Sequence, residues 1–99
     1  MSENRLRVLA RVSAKASSVE QVSMILIGLV DATRKEPGCL SYQFLQNRSD
    51  PNDFVSVEEW ESAAAEQAHF STVHLKDALA KLAGHLAAEP DIRRYSVLR

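Results

Sequence analysis

Two histidines stand five residues apart, His69 and His74, shortly after the only tryptophan, Trp60. Histidine exchanges its proton near neutral pH, so such a pair can act as acid and base in a pocket or can ligate a metal. The spacing argues against metal. Ligands on one helix face recur at i+3 or i+4, whereas i+5 places the second about 140° round the axis. A helix break at Ser71-Thr72 can let the two converge, but the only obvious oxygen ligands nearby in sequence are Glu59 and Glu66, and no third nitrogen ligand is close. The expectation is therefore no metal site. The plainer reading of His69 is a partly buried histidine bonded to a backbone carbonyl; the chemical reading is a pocket base. His85 follows Gly84 late in an expected helix, which predicts a solvent-facing side chain or a helix-end cation.

Three more residues belong to the chemical reading. Glu59 shares strand parity with Val55 and Val57, which predicts a carboxylate at the rim of the core. Trp60 falls on the opposite face, so both can line one cavity only if the strand bends or bulges. A lone tryptophan at a strand end is also a common packing residue. Cys39, the single cysteine, excludes an internal disulfide or a multi-cysteine metal site and reads as a small apolar residue in a half-buried strand.

The elements that must position these residues follow from periodicity. Residues 5–13 alternate, with Leu6, Val8, Ala10 and Val12 on one face and Arg7, Leu9 and Arg11 on the other: a strand. Ser17 or Ser18 can open a capping box with Glu20 or Gln21. Val19, Val22, Leu26, Leu29 and Val30 then recur at helical spacing, with Ile25 and Ile27 widening the stripe, until Pro37-Gly38 ends the segment. Residues 39–48 form a second strand, with Leu40, Tyr42 and Phe44 on one face. The turn formers of 49–53 lead into a third strand over 54–60, hairpinned with the second. Ser62 can cap a short helix from Ala63 to Phe70. Ser71 or Thr72 can cap another running through Ala78, Leu79, Leu82 and Leu86. Residues 92–99 alternate again as a last strand.

The order β-α-β-β-α-β, with a broken second helix, predicts one α+β domain over 1–99. The arrangement is ferredoxin-like, a four-stranded antiparallel sheet with both helices on one face. Apolar residues occur on both sheet faces, yet two helices can cover only one. The uncovered face predicts a homodimer in which two sheets meet. A net charge of −1 gives no electrostatic reason to expect nucleic acid or an anionic membrane. No apolar run reaches the ~20 residues of a membrane span. The opening MSENRLRV has no signal-like apolar stretch, so the expected location is cytoplasmic.

The segments EPGCLSYQFLQNRSDPNDFVSVEEW and AAAEQAHFSTVHLKDAL resemble the antibiotic biosynthesis monooxygenase (ABM) domain. The resemblance lies in a G-C-hydrophobic-x-Y strand, a Glu-Trp end to the next strand, and a histidine nine residues after the tryptophan with a second five later. It spans essentially the whole chain and implies a dimeric α/β barrel with a pocket in each subunit between sheet and helices. Some members of that family oxygenate quinols, anthrones or other electron-rich aromatics without metal, flavin or haem; others degrade haem. One branch acts on a phosphorylated sugar acid. Carried over by resemblance, His69 is the base or proton shuttle, His74 and Glu59 are polar partners, and Trp60, Tyr42 and Phe70 shape an aromatic slot. This chain departs from the haem-degrading branch in lacking an asparagine in its first strand, VLARVSAK, and in the spacing of its histidines.

The expected function is thus a cofactor-independent monooxygenase acting on a small aromatic substrate with dioxygen. One alternative is an isomerase- or lyase-like enzyme on a small polar metabolite, with Arg7 and Arg11 as anion-binding groups. The other is a non-catalytic dimeric ligand-binding module of a stress-response kind.

Overall fold

The computed structural model describes residues 4–99. Its elements are β1 (Leu6–Ser13), a 3₁₀ turn (Ala16–Ser18), α1 (Val19–Arg34), β2 (Cys39–Gln46), β3 (Asp53–Trp60), α2 (Ala63–His69), α3 (Val73–Leu82) and β4 (Asp91–Tyr95). The strands form one antiparallel sheet in the order β2-β3-β1-β4, the ferredoxin-like α+β arrangement expected from the periodicity. Among the described residues, no helix is long and apolar enough to cross a membrane.

Strand parity decides which side chains meet the helices. On β3, Phe54, Ser56, Glu58 and Trp60 are buried while Val55, Val57 and Glu59 are only half-buried. Val8 and Val12 of β1 and Tyr42 of β2 share the inner face. Helix α1 answers with Val22, Leu26, Leu29 and Thr33 at helical spacing, and α3 with Leu75, Ala78 and Leu82. Ile27, expected to widen the α1 stripe, is 67% exposed and points away from the sheet.

Five local expectations are corrected. The hydroxyl of Ser18 does not cap α1; it lies 2.9 Å from Nδ1 of His85. Helix α3 stops at Leu82 instead of continuing through Leu86, because the chain turns extended at Ala83 and left-handed at Gly84 (φ 86°). The backbone of His85 and Ala87 then bonds back to Lys15 and Ser13, so His85 is half-buried in a turn and is no helix-end cation. Leu40 does not share the face of Tyr42, since the register shifts between Cys39 and Ser41 and leaves Leu40 unpaired in a bulge. The same bulge turns Cys39 toward the core. Finally, β4 ends at Tyr95, opposite Arg7, because its partner β1 runs out one residue later.

One glycine controls how close α2 comes. Gly38 follows Pro37 with φ 84°, and a Cβ there would lie 2.5 Å from Cβ of Ala65 in α2. Its carbonyl accepts the N–H of Glu61, tying the turn after α1 to the end of β3. Gly38→Ala combines left-handed strain with a steric overlap. It is expected to destabilise the fold by about 2–4 kcal/mol in urea denaturation.

Candidate active site

The helix break between His69 and Val73 is built by Thr72. Its Oγ1 accepts the N–H of Leu75 at 3.3 Å, capping α3, and its hydroxyl donates to the carbonyl of His69 at 2.7 Å. Two helical segments therefore meet at an angle that a continuous helix would not allow. His69 and His74 converge on a single oxygen that sequence spacing did not suggest, Oε2 of Glu36. Nδ1 of His69 lies 2.6 Å and Nε2 of His74 2.5 Å from it. Glu36 sits in the turn before Pro37, where its N–H donates to Thr33 and its carbonyl accepts from Cys39. That turn aims the carboxylate under α2.

His69 is 3% exposed and its ring is wedged between aromatic neighbours, 5.1 Å from Trp60, 5.7 Å from Tyr42 and 5.6 Å from Phe70 by centroid. An ionised carboxylate only accepts, so Nδ1 carries a proton, and Nε2 has no hydrogen-bond partner among the described residues. His69 borders a cavity of about 310 Å³ between the sheet and the helices. The cavity wall is largely aliphatic, from residues such as Val8, Leu26, Leu29 and Leu82, with Tyr42, Phe44 and Phe70 as its aromatic part. Four ionisable side chains line it besides Tyr42: His69, Glu58, Glu66 and Glu89. An apolar cavity with a few convergent polar groups is the usual form of a small-molecule site.

Glu58 is held by two donors on its own strand face. The Ser56 hydroxyl donates to Oε2 at 2.5 Å and the Trp60 indole N–H to Oε1 at 2.8 Å. Burial raises its pKa above the usual carboxylate range, against the lowering effect of those two hydrogen bonds and of His69. Burial likewise pushes the Tyr42 phenol up, reinforced by the charges of Glu58 and Glu36, so Tyr42 stays protonated. Glu66 is 4% exposed and takes both oxygens' partners from Arg94, at 2.8 and 3.0 Å. The Arg94 guanidinium also lies 5.9 Å from the Phe70 ring, at the cavity edge.

The structure thus brings His69, Tyr42 and Phe70 to one cavity. It does not bring Glu59, which lies on the outer sheet face with Arg5 at 3.3 Å and Arg7 at 3.5 Å. The expectation that Glu59 rims the core inverted the sheet: the face carrying Phe54 and Trp60 is the inner one, and the β3 carboxylate at the cavity is Glu58. Trp60 is fully buried behind His69 and Glu58 and does not form a cavity wall. His74 faces a shallow cleft between α1 and α3. Arg11 pairs with Asp53 at 3.2 Å, so neither arginine of the outer strand face addresses this cavity.

A ferredoxin-like sheet closed by helices over an apolar cavity, with a carboxylate-bound histidine in its wall, defines a small-molecule-binding α+β domain. The sequence model of the antibiotic biosynthesis monooxygenase family matches residues 5–81, and the chain belongs to that family. The uncharacterised Synechocystis protein sll1783 is 26% identical over 96 residues, and the chain spans only 65% of its length. YcnE of Bacillus subtilis, whose name carries a provisional monooxygenase assignment, is 29% identical over 85 residues, covering 86% of this chain and 90% of YcnE. Among solved structures, PA3566 of Pseudomonas aeruginosa superposes with a TM-score of 0.92 at 27% identity, covering 100% of this chain and 99% of that one. An antibiotic biosynthesis monooxygenase crystal structure gives 0.90 at 29% identity, covering 95% and 99%.

Glu58 makes a pH prediction. Its pKa is raised in the folded state, so the protonated form is favoured by folding, and that advantage is complete below the unfolded value of about 4.3. It is lost as pH rises through the folded value. Glu58→Gln keeps the shape and never ionises. Urea denaturation from pH 3.5 upward is therefore expected to show wild-type stability falling relative to Glu58→Gln above the ordinary carboxylate range, then levelling off.

Proposed function

We propose that the protein is a cofactor-independent monooxygenase that oxidises a small electron-rich aromatic, of the hydroquinone or anthrone type, with dioxygen. The observation that carries this reading is His69 in the wall of an apolar cavity, its Nδ1 bonded to Glu36 and its Nε2 left to accept a proton. Family membership supports the monooxygenase class.

Triplet dioxygen reacts slowly with closed-shell molecules but takes one electron from an electron-rich anion. In this reading Nε2 of His69 removes a substrate O–H or activated C–H proton. The anion passes one electron to dioxygen, and the substrate radical and superoxide combine to form a C–O bond. The peroxide O–O bond then breaks with release of water, leaving one oxygen on the product. A hydroquinone becomes a hydroxyquinone and an anthrone an anthraquinone, each with one water and no outside reductant. Glu58 faces the same space and, with its raised proton affinity, can return a proton to the departing oxygen. The aliphatic walls keep water from the radical pair. Glu36 holds the histidine in the required tautomer, His74 steadies Glu36 from the solvent side, and Trp60 braces both His69 and Glu58.

The assembly in this reading is a homodimer. Leu9, Leu45, Val55 and Val57 occupy the outer sheet face, with Leu9 38% and Leu45 47% exposed in the single chain. No helix lies over that face among the described residues. Light scattering on an eluting size-exclusion peak is expected to give twice the chain mass at micromolar concentration; a monomer mass would rule the dimer out.

Oxygen uptake with a panel of hydroquinones and anthrones tests the reaction. Wild-type protein is expected to accelerate uptake, His69→Ala to lose about 10²–10⁴-fold, and Glu36→Gln to lose less. Uptake at the uncatalysed rate with every substrate, or undiminished in His69→Ala, would contradict the assignment.

A further inference from the structure

We propose that Oε2 of Glu36, Nδ1 of His69 and Nε2 of His74 form a binding site for one divalent cation of the zinc type, and that its occupancy turns His69 from proton acceptor to proton donor in the cavity. The three atoms lie within 4.8 Å of one another and come from three separate segments: the turn after α1, the end of α2 and the start of α3. Two imidazoles and a carboxylate are a donor set that zinc accepts, with a fourth position left for water.

The geometry is close to that of such a site. Bonds of about 2.0–2.1 Å in tetrahedral array separate ligand atoms by roughly 3.3–3.4 Å. The two contacts to Oε2, 2.6 and 2.5 Å, need to open by less than about 1 Å. The His74 contact can open by a shift of His74, whose side chain is 29% exposed and stands in the first turn of α3. The His69 contact opens by a shift of the Glu36 carboxylate, so His69 itself keeps its place. Its ring is gripped by Trp60 and Tyr42, and its carbonyl holds the Thr72 hydroxyl, so one ligand is already fixed in place.

Charge points the same way. The Glu36 side chain is 8% exposed, and among the described residues its ion-pair partners are these two histidines, with no lysine or arginine. A nearly buried carboxylate facing two neutral nitrogen donors is a place where a cation gains more than it loses on leaving water. Of the three ligands, His74 lines the cleft between α1 and α3, whereas His69 borders the cavity.

The chemical consequence follows from the tautomers. With Glu36 as acceptor, the ring proton of His69 sits on Nδ1 and Nε2 is bare. A cation on Nδ1 takes that lone pair, so the proton of the neutral ring moves to Nε2 and is offered into the cavity. The histidine that removes a substrate proton in the metal-free protein can then only donate a hydrogen bond. This consequence rests on the base role proposed above; the binding site does not.

Isothermal titration of the chelator-stripped full chain with zinc chloride tests the site without any substrate. The expected result is one zinc per chain, weakened at least about tenfold in His74→Ala and in the near-isosteric Glu36→Gln. Binding is expected to be unchanged in His85→Ala and Cys39→Ser, which remove the other zinc-seeking side chains. Cobalt(II) in the wild-type protein should show the intense visible bands of a four-coordinate site, a readout that needs no variant to fold. Absence of saturable binding, binding retained in His74→Ala, or a six-coordinate cobalt spectrum would each overturn the proposal and leave the cluster a hydrogen-bonded triad. Failure of the oxygen-uptake assay alone would leave this result standing.

Discussion

The buried carboxylate of Glu36 is the constraint around which the site is organised. One oxygen takes both histidines, and a nearly buried carboxylate deprived of such partners costs several kcal/mol. The fold meets that demand with two backbone devices. The Pro37-Gly38 turn, made possible by a left-handed glycine in contact with Ala65, sets the carboxylate beneath α2. The Thr72 cap breaks the helix so that His69 and His74 approach from two directions. A continuous helix over 63–82 would point one of them elsewhere.

The inner face of β3 supplies the second organised element. Ser56, Glu58 and Trp60 lie on alternate residues, so two donors of one strand hold the carboxylate between them. Trp60 links the two systems, donating to Glu58 while packing on His69. The cavity thus has a histidine anchored through its far nitrogen and a carboxylate with raised proton affinity. Both are set in a largely apolar wall of aliphatic and aromatic side chains.

Much of this was legible in residue order. The alternation of 5–13 and 54–60, the i, i+3, i+4 stripe of α1, and the Ser62 and Thr72 caps gave the element order and the helix break. Resemblance gave the pocket between sheet and helices. What stayed hidden depended on contacts across the chain. Glu36 is 33 residues from His69, and periodicity carries no information at that range; its position directly before Pro-Gly, in a conformationally fixed turn, was the available signal. The Glu58–Glu59 choice turned on which β3 face is inner. The larger aromatics, Phe54 and Trp60, marked it, whereas the valines drew the reading to the other side. The bulge at Leu40 and the early end of α3 at Gly84 both override the local pattern through backbone geometry.

The proposed chemistry depends on Glu36 fixing His69 with Nδ1 protonated and Nε2 bare toward the cavity. Long-range ¹H–¹⁵N correlation spectra of the histidine side chains in metal-free protein test it most directly. The expected spectrum is that of a neutral His69 with a protonated Nδ1 and an unprotonated Nε2, a pattern that Glu36→Gln shifts toward a mixture of tautomers. A His69 carrying its proton on Nε2 in the wild type, or one indifferent to Glu36→Gln, would contradict it.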